Sequence, residues 1–315
     1  MRAHITVIAL GLTLALSLPT LALAADDARC GTVNMSDPGW SDIGATNAVS
    51  GVLLNALGYQ QQIKNLSVAL AYQGLKTGQL DVFLGNWMPA QKPVIEKYTA
   101  DGSVNVVGAN LNSAKFTLAV PDYVAQGGVH DFADLAKYAD RFDHKIYGIV
   151  PGAPANQNIK NMLDKHDFNL TGWSLVESSE SGMLAQVERA EGKKQWIVFL
   201  GWEPHAMNTR YKLTYLSGGD SYFGPNYGSA TVNTVTRKDY TTQCPNAARL
   251  FSQLKFNVDL ENRIIKRVLD DKQTPERAAQ EELKQHPELL PTWLDGVTTR
   301  AGQPGLPVVR QALAL

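Results

Sequence analysis

Val82-Phe83-Leu84-Gly85-Asn86-Trp87-Met88-Pro89 and, far downstream, Val198-Phe199-Leu200-Gly201-Trp202-Glu203-Pro204 read as two versions of one phrase. In each, an apolar run reaches a glycine that permits close backbone approach, then a tryptophan, then a proline that ends regular structure. A run apolar on both faces suits a strand inside a mostly parallel sheet. Open α/β sheets place their ligand crevice at the carboxyl ends of such strands. Each tryptophan is therefore expected at the mouth of a cleft, one from each half of the molecule. Asp37-Pro38-Gly39-Trp40-Ser41-Asp42 repeats the logic after an expected first strand, with a carboxylate two residues beyond a third tryptophan.

Working outward, short β-prone runs alternate with amphipathic segments, the pattern of βαβ units. Strands are expected at 31–35, 63–65, 82–84 and 104–107, with a helix from 42 or 46 to 57 closed by Gly58 at its C′ position. A second series of strands is expected at 116–120, 145–149, 173–177 and 197–200, followed by one more at 231–235. Beyond Pro245 the chain turns helical, at 247–254, 260–269 and 274–284. The fold class is α/β with two lobes, each a mostly parallel sheet flanked by helices. The chain is expected to leave lobe one near residue 112 and return near 214, giving 25–112 plus 214–315 as lobe one and 113–213 as lobe two. Two crossing strands would form the hinge of a bilobal clamp.

Arg2 precedes an apolar run over residues 5–16, too short to span a bilayer but suited to a signal peptide, and Ala22-Leu23-Ala24 supplies a cleavage site. Residues 1–24 are read as a signal peptide and the remainder as a periplasmic, monomeric chain with no membrane insertion. A mature length of about 290 residues exceeds what one core usually serves, which favours two lobes. The net charge of −1 does not suit a nucleic-acid partner. The two cysteines, Cys30 and Cys244, suit a disulfide in an oxidising compartment; Arg29 before Cys30 disfavours a lipid-anchored cysteine.

Trp40, Trp87 and Trp202, with Phe116 where the lobes should meet, are expected to form an aromatic box, and Asp42 sits beside it. A trimethylammonium has no N–H to share, so only ring faces and dispersion can hold it. Each face is worth roughly 0.5–2 kcal/mol once desolvated. Asp42 also suits the N-terminal cap of the helix that follows, and Trp173, Trp196 and Trp293 lack this setting and read as packing. Motifs for zinc proteases, nucleophile elbows, Walker loops and dinucleotide sites are missing from the sequence. The histidines lack metal-ligand spacing. No catalytic residue, metal or cofactor is therefore expected. A secreted hydrolase of a choline ester or phosphocholine, using the same cage, would need a nucleophile or metal set that the sequence does not offer.

Gly39-Trp40-Ser41-Asp42-Ile43, Phe83 to Pro89, Val176-Glu177-Ser178-Ser179-Glu180, Phe199 to His205 and Phe223-Gly224-Pro225-Asn226-Tyr227-Gly228 together resemble the periplasmic choline-binding proteins of bacterial ABC importers, within the wider glycine betaine and carnitine binding group. The resemblance covers nearly the whole mature chain. It implies a type II periplasmic substrate-binding fold, an ABC permease as partner, and choline or a related quaternary ammonium as ligand. It places Trp40, Trp87 and Trp202 as cage walls, Asp42 at the head group or hydroxyl, and Cys30 with Cys244 as the family disulfide. Two positions depart from the family pattern. Phe116 stands where a tyrosine is usual, and Pro151-Gly152-Ala153 replaces a Pro-Gly-Asn loop, so the hydroxyl contact of that Asn is absent at Ala153 unless Asn156 supplies it. Betaine or carnitine would bring a carboxylate near Asp42, which puts choline ahead of both.

Overall fold

The computed structural model describes residues 26–315, so the expected signal peptide lies outside the described residues. Among the described residues nine strands are formed: β1 (Thr32–Asp37), β2 (Gln60–Asn65), β3 (Val82–Met88), β4 (Val104–Pro121), β5 (Lys145–Tyr147), β6 (Ser174–Val176), β7 (Phe199–Glu203), β8 (Leu213–Tyr215) and β9 (Ser229–Arg237). They pair in the order β2-β1-β3-β9-β4-β7-β5-β6, with β8 also on β4. The two flanks, β2-β1-β3 and β7-β5-β6, are held together by parallel pairs. The middle is antiparallel, because β4 and β9 run against each other and against β3, β7 and β8. The two expected sheets are thus joined through the pair of long strands that pass between them.

The strands expected at 104–107 and 116–120 are one continuous strand. Register shifts against β9 between Val106 and Gly108, Ala109 and Leu111, and Leu111 and Ala114 bend β4 while it remains paired. Bulges of this kind re-aim a strand without ending it. They also erase the alternation that would have marked residues 108–115 as strand. β2 begins at Gln60 rather than residue 63, since its polar, mostly exposed residues suit an edge that pairs only with β1. β8 lies against Ala119–Pro121 of β4, and Ser217 bridges Asp131, so residues 213–217 pair with the flank that carries β7.

Helix α1 (Ser41–Ala56) is buried along almost its whole length, because it packs between the sheet and two C-terminal helices, Val258–Leu269 and Pro275–Gln285. Its apolar residues run around the helix, as a helix covered on both sides requires. Leu57 and Gly58 end α1 with backbone N–H groups turned back onto Leu53 and Asn55. Glycine at position 85 lets α1 approach β3, since a Cβ there would lie 2.9 Å from Ile43 Cδ1. Cys30 and Cys244 are disulfide-bonded with Cα atoms 5.6 Å apart, tying the segment before β1 to the start of helix Pro245–Gln253.

Candidate functional site

β1 ends in Asp37, whose Oδ1 accepts the backbone N–H groups of Gly39 at 2.7 Å and Trp40 at 3.3 Å. This local turn fixes Trp40 at the N-cap position of α1 and brings Asp42 into the first helical turn. β3 delivers Trp87, whose Nε1–H donates to Asp42 Oδ2 at 3.0 Å. Behind Trp87 a buried amide network holds the end of β3 in place. Gln91 donates to the carbonyl of Gly85 at 2.6 Å and accepts from the Tyr72 hydroxyl at 2.7 Å, and Asn86 donates to that hydroxyl at 2.7 Å.

From the other flank, Phe116 of β4 and Trp202 of β7 are direct cross-strand partners. The Phe116 ring stands edge-on to Trp87, centroids 6.1 Å apart at 84°, and is backed by Phe223 at 5.6 Å. Both echoed phrases turn through a cis prolyl bond directly after the site, at Met88-Pro89 and Glu203-Pro204.

These elements enclose a cavity of about 40 Å³ lined by Trp40, Asp42, Trp87, Phe116 and Trp202, with Ile149, Pro154 and Ala155 on one wall and Ala90, Gln91 and Leu200 also reaching it. At roughly 10–15 Å³ per water, this is room for a few heavy atoms, the scale of a compact head group. The structure therefore brings together the four expected rings and the expected carboxylate. It does not bring Ala153 or Asn156 to the lining. Ala153 is the N-cap of α2 (Pro154–Asp164), and the next two residues face the cavity instead. The Asn156 amide is spent locally: Oδ1 accepts from the N–H of Ile149 at 3.0 Å, and Nδ2 donates to the Ile149 carbonyl at 2.8 Å and to Glu177 Oε1 at 2.9 Å. Trp173 and Trp293 pack against Phe142 and Phe256, and Trp196 carries Arg141 on its ring face, all away from the cavity.

The electrostatics are one-sided. Asp42 is 2 % exposed, and its carboxyl is pushed up to about 8, mainly by burial and then by nearby Glu180, against the lowering effect of the Trp87 hydrogen bond. Asp37 is raised by burial, which outweighs its bonds to Gly39 and Trp40, and Glu180 adds to the rise. Behind Asp42, burial and the Asp42 charge hold the fully buried Glu261 well above the usual carboxylate range. Two polar atoms on the lining residues, Asp42 Oδ1 and Trp40 Nε1, are buried without a hydrogen-bond partner among the described residues. An acceptor and a donor left in this way fit a ligand that supplies both, and a buried carboxyl whose ionised form a nearby positive charge would favour fits a cation.

Sequence reasoning passed over Glu180, Glu261, Ile149, Pro154 and Ala155 as individual site residues. Glu180 sat only at the end of the Val176 to Glu180 motif, and the apolar wall carries no local signature. Among the described residues no His, Cys, Asp and Glu side chains group as metal ligands, and no helix is long and apolar enough to cross a membrane.

Comparison with known proteins gives a consistent set of similarities. Residues 31–285 match the family described as the substrate binding domain of the ABC-type glycine betaine transport system. The chain is 51 % identical to an ABC-transporter choline binding protein solved in complex with choline, over 91 % of this chain and all of that one, with a TM-score of 0.89. It is 28 % identical to lactococcal OpuAC in a closed-liganded conformation with glycine betaine, over 83 % of this chain and 98 % of that one, with a TM-score of 0.76. Over 158 residues, 50 % of this chain and 51 % of the other, it is 26 % identical to the glycine betaine/carnitine transport binding protein GbuC of Listeria monocytogenes.

Proposed function

The chain belongs to the family of substrate-binding domains of ABC-type glycine betaine transport systems, and within it we propose that this protein captures choline in the periplasm and presents it to an ABC importer without chemically changing it. The observation that carries this reading is the convergence of four aromatic rings and one buried carboxylate on a small cavity. A quaternary ammonium can be held there by ring faces alone, and Asp42 favours a ligand ending in a hydroxyl over one ending in a carboxylate. The free donor on Trp40 and free acceptor on Asp42 complement that hydroxyl, which can accept and donate at once.

On this reading the ligand-binding residues are Trp40, Asp42, Trp87, Phe116 and Trp202. Residues 1–24 are the export signal, and two lobes close on the ligand. Strand pairing supports assigning residues 213–217 to the lobe that carries β7, with the return crossing made by β9 rather than near 214. Calorimetry with choline, glycine betaine and carnitine tests the proposal. Choline is expected to bind in the micromolar range or tighter and ahead of both others. No heat with choline, or a stronger response to betaine, would refute it.

A further inference from the structure

We propose that Glu180 is a positioning residue that latches the cleft, capping helix α1 of one lobe from the first turn of a helix in the other, so that Trp40 and Asp42 are fully held only when the lobes are closed. This rests on the two-lobe reading above. Glu180 opens α3 (Glu180–Lys193), whose own start is fixed by Ser179 accepting the N–H of Gly182 at 3.1 Å. Its side chain is almost buried, and each oxygen has a separate task. Oε2 accepts the backbone N–H of Ser41 at 3.0 Å, across a sequence separation of 139. Oε1 lies 3.0 Å from His205 Nε2.

His205 is fully buried and its Nδ1 accepts the N–H of Met207 at 2.9 Å. That leaves Nε2 as the nitrogen that carries hydrogen and donates to Glu180. The imidazole also stands edge-on to Trp202, centroids 4.7 Å apart. One short chain therefore runs from cage wall Trp202 through His205 and Glu180 to Ser41, the residue after cage wall Trp40.

The other half of the argument is what α1 lacks. The first N–H groups of a helix need acceptors from outside it. Trp40, in the N-cap position, has no side-chain oxygen and makes no capping bond. The opposite lobe supplies the acceptor, and an anionic one at the positive end of the helix dipole. When the lobes part, Ser41 loses that cap and Glu180 keeps only His205. Glu180 also stands close to Asp37 and Asp42, so closure gathers three acidic groups around the cage and is favoured most when a cation lies among them.

Three variants of the full mature protein test the latch. Glu180→Ala deletes the acceptor. Ser41→Pro deletes the N–H donor, together with a buried hydroxyl that makes no hydrogen bond, at the one helical position where proline is well tolerated, and Trp40 already has the extended backbone that a residue before proline adopts. The third is the double variant. Stopped-flow fluorescence with choline is expected to show koff raised by about tenfold in Ser41→Pro and by at least that in Glu180→Ala, which also strips His205 of its partner, with kon changed far less, and the double variant no worse than Glu180→Ala, because the Ser41 bond is already gone there. Glu180→Gln, which keeps an acceptor for Ser41, should recover part of the loss. Unchanged koff, or additive losses, would overturn the latch while leaving the choline reading intact. Should the wild type fail to take up choline, the functional reading falls. Hydrogen exchange at the first turn of α1 then decides the latch alone: faster exchange in Glu180→Ala supports it, and equal exchange overturns it.

Discussion

Choline should bind more tightly as the pH is raised, because the carboxyl that faces the cavity is held protonated by its surroundings. Burial, reinforced by Glu180, pushes Asp42 up to about 8, so a ligand-free cleft at neutral pH holds mostly the neutral acid. A trimethylammonium about 5 Å from its oxygens, at an effective dielectric near 20, favours the ionised form by about 3 kcal/mol. That corresponds to lowering its titration by about two pH units in the complex. Between about pH 6 and 8 the ligand must then expel a proton to bind the preferred form, and the affinity should climb roughly tenfold per pH unit, levelling off above 8. Glu261, behind Asp42, is raised in the same direction, by burial and then by the Asp42 charge. The assay is calorimetric titration with choline from about pH 6 to 9, repeated in buffers of different ionisation enthalpy to count protons released. Asp42→Asn keeps an acceptor for Trp87 and should flatten the profile. A wild-type Kd constant across that range, with no proton release, would refute the reasoning.

The same carboxyl sets an opposite trend in stability. Its folded value of about 8 lies above the 3.8 of the free side chain, so its contribution is complete below 3.8 and is lost as pH rises through about 8. The ligand-free unfolding free energy from urea titration should fall over that window, by up to about 1.4 kcal/mol per pH unit from this group, and less steeply in Asp42→Asn. Trp87→Ala should weaken choline binding by about 1–3 kcal/mol in calorimetry. Trp87→Phe should lose less affinity but move the pH midpoint upward, since the indole N–H that lowers Asp42 is gone. Gly228→Ala places a Cβ 1.8 Å from the carbonyl oxygen of Phe116 at a φ of +72°, so β4 must shift where it carries a cage ring. It should cost more than about 2 kcal/mol in urea unfolding and weaken choline binding.

The parts of this molecule that were legible in sequence are those whose cause is local. A strand ending in glycine, tryptophan and proline can be read without knowing its neighbours, and Trp40, Trp87 and Trp202 do reach one cavity. Gly58 ending α1 was legible for the same reason. β4 was split in two because bulges at Gly108, Leu111 and Ala114 interrupt the alternation on which strand reading depends. β2 was begun late because an edge strand needs no apolar face. Glu180 was not singled out because its partners, Ser41 and His205, lie on separate elements that only the folded chain brings together.

Asn156 shows why a residue of the right type near the right place does not line the cavity. The loop before α2 has to turn sharply from β5 into a helix, and there the backbone N–H of Ile149 and the carbonyls of Ile149 and Val150, which also accept from Ser178 and Ala153, can be tied together by one side chain. The Asn156 amide does this with both of its ends. A side chain so engaged would have to leave the Ile149 N–H without its acceptor to reach a ligand, at a cost on the order of 1–3 kcal/mol for that buried group. The site takes the cheaper arrangement. Pro154 and Ala155 supply an apolar wall, and the polar recognition concentrates on Asp42 and Trp40, at the start of α1. On the proposed reading, the residues that meet the ligand's polar end are the ones whose helix the opposite lobe caps through Glu180, which would make recognition and closure converge on a single helical turn.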